Sequence, residues 1–190
     1  MRRRSLLFGI LAQPAVADRE FFGRWRSVET TKGGIGAIYE IRKNGTVRYS
    51  SAAIVEQGYE RNGNQLAILG STPSSVGMGW HADGRLQLNY GQNVIEDYVR
   101  VGAVVDAAEP LLGEWKGRRS MGEYEVPVML QFRNPKRMLM VIELKTYLGR
   151  HAAGRMTLAG LRGRRVYEDA AAGQIVIQVD GGDKHPFIQF

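Results

Sequence analysis

The segment FFGRW (residues 21–25) returns as LLGEW (residues 111–115), which sets Gly23 against Gly113 and Trp25 against Trp115, both 90 residues apart. The match continues outward from these two points. IYEIRKN (residues 38–44) aligns with MLQFRN (residues 129–134), Ile41 with Phe132 and Arg42 with Arg133. Gly58 then falls opposite Gly149, Gly63 opposite Gly154, RLQL (residues 85–88) opposite QIVI (residues 174–177), and DYVRV (residues 97–101) opposite PFIQF (residues 186–190). The offset stays between 89 and 91 throughout. A register held over a whole copy reads as a diverged duplication, and self-similarity of this length sets the architecture before any single motif does. The small residues from Gly102 to Glu109, closed by Pro110, read as a connector. The expected division is one unit over 18–102, a linker over 103–110 and a second unit over 111–190.

Within each copy the periodicity is two. Leu86, Leu88 and Tyr90 alternate with Gln87 and Asn89, and Val126, Val128, Leu130 and Phe132 repeat the pattern, as half-buried strands require. Asn44-Gly45, Asn62-Gly63 and Asp83-Gly84 supply the positive φ of tight hairpins. Strands are predicted near 24–30, 37–43, 46–56, 58–62, 65–70, 76–82, 85–90 and 94–101 of the first copy. Eight hairpin-linked strands fit an antiparallel up-and-down barrel, whose closure removes exposed edges. The expected fold is therefore all-β, two tandem barrels with little or no helix after the leader. Met138-Leu139-Met140-Val141-Ile142 breaks the alternation and predicts a strand buried on both faces, packed against the first copy so that the two units form one body.

The first seventeen residues read as a signal peptide: Arg2, Arg3 and Arg4, an apolar run from Leu6 to Ala12, and Ala15-Val16-Ala17 as the cleavage site. The apolar run is far shorter than the roughly 20 residues a membrane span needs. Export by the Sec or the twin-arginine route predicts a periplasmic or secreted protein with no transmembrane segment after the leader is removed. With no Cys in the sequence, disulfides, thiolate metal sites and thiol nucleophiles are excluded, and stability rests on the apolar core. The formal charge of +7 is unevenly placed. Residues 18–110 hold ten Lys/Arg against eleven Asp/Glu, residues 111–190 thirteen against eight. Arg162, Arg164 and Arg165 cluster in the second half and are candidates for contact with an anion.

The G-x-W openings at Gly23-Arg24-Trp25 and Gly113-Glu114-Trp115, with GYERNGNQLAI (residues 58–68) and EDYVRV (residues 96–101), resemble the lipocalin and wider calycin group, and within it small bacterial lipocalin-like domains. That resemblance implies a barrel whose first-strand Trp plugs one end, with an Arg from the last strand stacked across it. It assigns those structural parts to Gly23, Trp25 and Arg100. In the second copy Gly113 and Trp115 remain but Gln189 stands where Arg100 would be, so the stack is expected to be absent or differently made there. The resemblance also implies ligand binding in the barrel mouth on inward side chains. Alternation nominates Tyr39, Ile41, Val47, Tyr49, Met78, Trp80, Leu86 and Leu88 as inward, with Tyr39, Tyr49, Met78 and Trp80 as the ligand-binding candidates.

Catalytic chemistry finds no support. His81, His151 and His185 lie far apart, without metal-ligand spacing. No serine sits in a nucleophile elbow, and the Gly-rich pieces precede strands instead of helices. Glu123 and Glu125 read as the polar side of a hairpin. No catalytic residue, metal or cofactor is expected, and nucleic acid is not an expected partner. The leading expectation is a non-catalytic binding protein of the cell envelope holding a small apolar or amphipathic ligand. The alternatives are a protein–protein module, like a secreted protease-inhibitor barrel, and a structural envelope protein with solid cores. A membrane-embedded barrel is disfavoured, because the outward positions carry Arg42, Arg48, Gln87, Asn89 and Arg100, which a lipid face bears only at high cost.

Overall fold

A computed structural model describes residues 21–70, 72–171 and 173–190; the leader assigned to residues 1–17 lies outside them. The described chain is all-β and antiparallel. The first seven strands are β1 (Gly23–Ser27), β2 (Ile35–Ile41), β3 (Thr46–Asn62), β4 (Gln65–Leu69), β5 (Ser74–Trp80), β6 (Leu86–Asn89) and β7 (Ile95–Val101). The remaining seven are β8 (Gly113–Met121), β9 (Tyr124–Asn134), β10 (Arg137–Ala152), β11 (Arg155–Leu158), β12 (Arg165–Ala171), β13 (Gln174–Val179) and β14 (Lys184–Gln189). Each pairs with its sequence neighbour, β14 closes on β1, and β3 also pairs with β10. No helix among the described residues is long and apolar enough to cross a membrane.

The β3–β10 ladder turns one ring into two circuits. It runs from Thr46↔Arg150 to Gly58↔Arg137. At one end β3 passes to β2 and β10 to β11; at the other β3 passes to β4 and β10 to β9. One circuit is therefore β3 through β10, built around Trp115; the other is β10 through β14 followed by β1 to β3, built around Trp25. Each has eight strands, and β3 and β10 belong to both. The expected tandem arrangement, one barrel over 18–102 and another over 111–190, is not the one formed. Each circuit draws strands from both halves of the chain, and the segment from Gly102 to Pro110 joins the paired neighbours β7 and β8.

The physical reason lies in β3. Two strands, 46–56 and 58–62, were expected there. Instead β3 is continuous over 17 residues and β10 over 16. At about 3.3 Å per residue β3 spans roughly 55 Å, well beyond the roughly 17–20 Å of an ordinary strand. It leaves one barrel wall and enters the other. In β10 the register slips between Glu143 and Lys145, a bulge that bends the strand where it changes barrel.

Three apolar clusters follow from this ribbon. Val47, Tyr49 and Tyr59 share one face of β3 by alternation. Val47 packs in the Trp25 barrel with Tyr49 against it, and Tyr59 packs in the Trp115 barrel. The reverse face carries Ala52 and Ile54 of β3 with Leu139 and Val141 of β10, covered by Ile38 and Met129. Met138, in the Trp115 barrel, and Leu139, in the third cluster, are both buried, so the apolar run 138–142 has a core on each side and pairs with residues 53–57 of the first half. Around the third cluster Arg24 of β1 pairs with Glu114 of β8, and Arg48 of β3 with Glu143 of β10.

Candidate functional site

Each barrel is capped by its tryptophan in the same way. Trp25 Nε1 donates to Phe21 O at 2.8 Å and Trp115 Nε1 to Leu111 O at 2.8 Å. The closing strand differs from expectation. Arg100 does not reach Trp25; its guanidinium stacks 4.1 Å above the Trp115 ring and donates to Leu112 O at 2.6 Å and to Pro110 O. Trp25 faces Gln189 instead, whose Nε2 donates to Phe22 O at 3.4 Å. The stack is present over the second tryptophan and missing over the first, because β7 pairs with β8 and β14 with β1. The two glycines of the G-x-W segments have a steric cause. Gly23 and Gly113 have φ of 136° and 117°, and a Cβ at either would meet Gln189 Nε2 at 2.7 Å or Arg100 Nη1 at 3.0 Å.

The opposite ends of the barrels are not alike. In the Trp115 barrel, Glu96 is buried and accepts hydrogen bonds from Arg119 Nε at 2.5 Å, Arg119 Nη2 at 3.1 Å and Tyr98 Oη. Arg119 also lies 5.0 Å over the Tyr90 ring. This ion pair and the two phenols are packed together inside this barrel. Of the ligand-binding candidates, Met78 is buried in the core of this barrel and Trp80 is 41% exposed, 5.6 Å from Trp115. Neither meets Tyr39 or Tyr49, which belong to the other barrel.

In the Trp25 barrel a cavity of about 310 Å³ opens between β1, β2, β3, β12, β13 and β14, with Tyr39, Tyr49, Ile177, Val179, Phe187 and Arg165 on its walls and Glu29, Ser51 and His185 among its other lining groups. Tyr39 packs on Tyr49 at 5.0 Å and edge-on to Phe187 at 5.3 Å. Arg165 is only 7% exposed. Its Nε donates to Tyr39 Oη at 3.2 Å and its Nη1 to Gly163 O at 2.9 Å.

The anion-contact cluster is thereby split. Arg162 and Arg164 are exposed, and the Arg164 backbone N–H donates to Asp180 Oδ1. Arg165 opens β12 and alternates with exposed Val166 and buried Tyr167, so it points into the barrel. The three arginines were grouped as one candidate for anion contact; the clue that Arg165 turns inward is the period-two step to Tyr167. Of the histidines, His81 Nε2 lies 2.9 Å from Asp97 Oδ1, and His151 bridges Arg42 O at 2.7 Å and Tyr167 Oη at 3.2 Å. His185 lines the cavity.

Burial pushes the Tyr39 phenol up to about 12, although the Arg165 charge pulls the other way. Tyr49 and Tyr90 are also raised by burial. A phenol whose folded pKa exceeds its unfolded value of about 10 stabilises the fold fully below pH 10, and loses that contribution as pH rises towards 12. For Tyr39 the contribution is about 3 kcal/mol. Urea midpoints are therefore expected to fall between pH 9 and pH 11.5, and to fall less in Tyr39→Phe. An equal fall in both proteins would contradict the assignment.

Comparison of the chain with family models, with curated proteins and with solved structures finds no match.

Proposed function

We propose that this is an exported, non-catalytic binding protein of the cell envelope, a duplicated lipocalin-like chain that holds one small amphipathic molecule in its Trp25 barrel. The observation that carries the reading is the cavity bounded by Tyr39, Tyr49, Phe187 and Arg165: aromatic and aliphatic walls joined by a few polar groups, of which Arg165 is buried, the usual make-up of a small-molecule site. The Glu96–Arg119 ion pair inside the Trp115 barrel supports placing the ligand in the Trp25 barrel. The duplication is supported by the paired tryptophan caps, whose hydrogen bonds span residues 21 to 25 and 111 to 115 alike. The G-x-W segments support the lipocalin-like reading, and the basic-apolar leader in the sequence supports export.

The test is native mass spectrometry of mature protein purified from its own host, with thermal stabilisation across a panel of small amphipathic compounds. One bound molecule per chain is expected, with stabilisation of about 2.7 kcal/mol at a hundredfold excess over Kd. Ala37→Trp, which places an indole on the cavity lining, is expected to abolish it. Ligand-free protein that no compound stabilises would overturn the reading.

A further inference from the structure

We propose that the molecule held in the Trp25 barrel is a compact aromatic monocarboxylate whose carboxylate sits on the Arg165 guanidinium; this rests on the reading of that barrel as a ligand chamber. A guanidinium carries five N–H donors and a fixed positive charge. The two acceptors that Arg165 meets, Tyr39 Oη and Gly163 O, are both neutral. The Tyr39 phenol, with an ordinary value of about 10 that burial raises further, is protonated at neutral pH, so no phenolate balances the charge. Among the described residues no carboxylate forms an ion pair with Arg165 within 4.0 Å. A buried cation without a counter-ion is costly, and this one faces open volume.

The other barrel shows what a balanced interior looks like. Val76 faces Leu66 there as Arg165 faces Met156 here, so an apolar side chain occupies the matching inward position. Its charged end is self-neutralised by Arg119 on Glu96. The places of Arg119 and Glu96, carried over through the pairs Trp115↔Arg100 and Trp25↔Gln189, are taken in the Trp25 barrel by Glu29 and His185, both on the cavity lining. The internal plug is replaced by space, and the arginine is left with no carboxylate in direct contact among the described residues.

The shape and chemistry of that space narrow the occupant. About 310 Å³ is at the small end for ligand sites, which suits one or two fused rings better than a long chain. Tyr39, Tyr49 and Phe187 offer faces and edges for ring packing. The planar fork of Arg165 matches a carboxylate through paired hydrogen bonds. Glu29 on the lining adds a negative charge that disfavours a dianion, so a monocarboxylate fits better than a phosphate ester.

Titration calorimetry on the mature chain, with naphthoate, naphthamide and naphthyl phosphate as probes, tests the assignment. Naphthoate is expected to bind one per chain and at least roughly tenfold tighter than naphthamide, the scale of one charge-assisted hydrogen bond. Arg165→Met should bring the affinity for naphthoate down to that for naphthamide, and Arg165→Lys should keep part of the preference. Equal affinity of the acid and the amide for the wild-type protein, or tighter binding of the phosphate, overturns the carboxylate assignment and leaves the ligand chamber standing. Failure of all three probes to bind folded wild-type protein overturns both.

Discussion

Glu96→Ala is expected to destabilise the protein by about 3 kcal/mol, the lower end for breaking a buried ion pair. The Glu96 side chain is 3% exposed and accepts from both Arg119 and Tyr98. Its removal strands a guanidinium and a fully buried phenol together. The cost falls at the lower end because the Arg119 side chain, 22% exposed, can turn partly to water. Arg119→Ala should cost a similar amount, and the double variant clearly less than the sum, since the two share one interaction. Urea unfolding of the four proteins measures this. A loss below about 1 kcal/mol for Glu96→Ala, typical of a surface pair, would show that this end of the Trp115 barrel is open to solvent.

The class of fold was legible in the sequence, and its connectivity was not. Alternation at residues 86–90 and 126–132 marks strands and their inward faces, and Leu86, Leu88, Leu130 and Phe132 are all buried. The unbroken apolar run 138–142 marked a strand with a core on each side. Period two says which face is buried but not which strand lies alongside. Nothing in it distinguishes β7 returning to β1 from β7 pairing with β8, and so Arg100 was assigned to the wrong tryptophan. The two strands expected over 46–56 and 58–62 are one, and Gly58 sits inside β3, opposite Leu69 and Arg137.

The candidate site was half legible. Tyr39 and Tyr49 were nominated by alternation and line the cavity. Met78 and Trp80 were nominated by the same rule, but they sit in the barrel that fills itself. That difference depends on Glu96 and Arg119, which are 23 residues apart and join only through the β7–β8 pairing. Arg165 was nominated for its charge together with Arg162 and Arg164, and the charge run alone does not tell the buried arginine from its two exposed neighbours.

The exchange of strands between the two halves carries the largest consequence. Without residues 111–190, β1 lacks β14, β3 lacks β10 and β7 lacks β8. Three rows of backbone donors and acceptors are then unpaired, and Trp25 loses the strand that carries Gln189, just as Trp115 in the separated second half loses the strand that carries Arg100. Neither half can close a barrel, so the expected loss is the whole stability of the fold. The connector is accessible, with Val104 57% and Val105 70% exposed, so a protease site placed there can be cut in the folded protein. The cut chain is predicted to elute as one particle with unchanged circular dichroism, and its fragments, once separated in denaturant, to refold only when mixed. Two fragments that part under native conditions, each keeping a cooperative unfolding transition, would contradict the interleaved architecture.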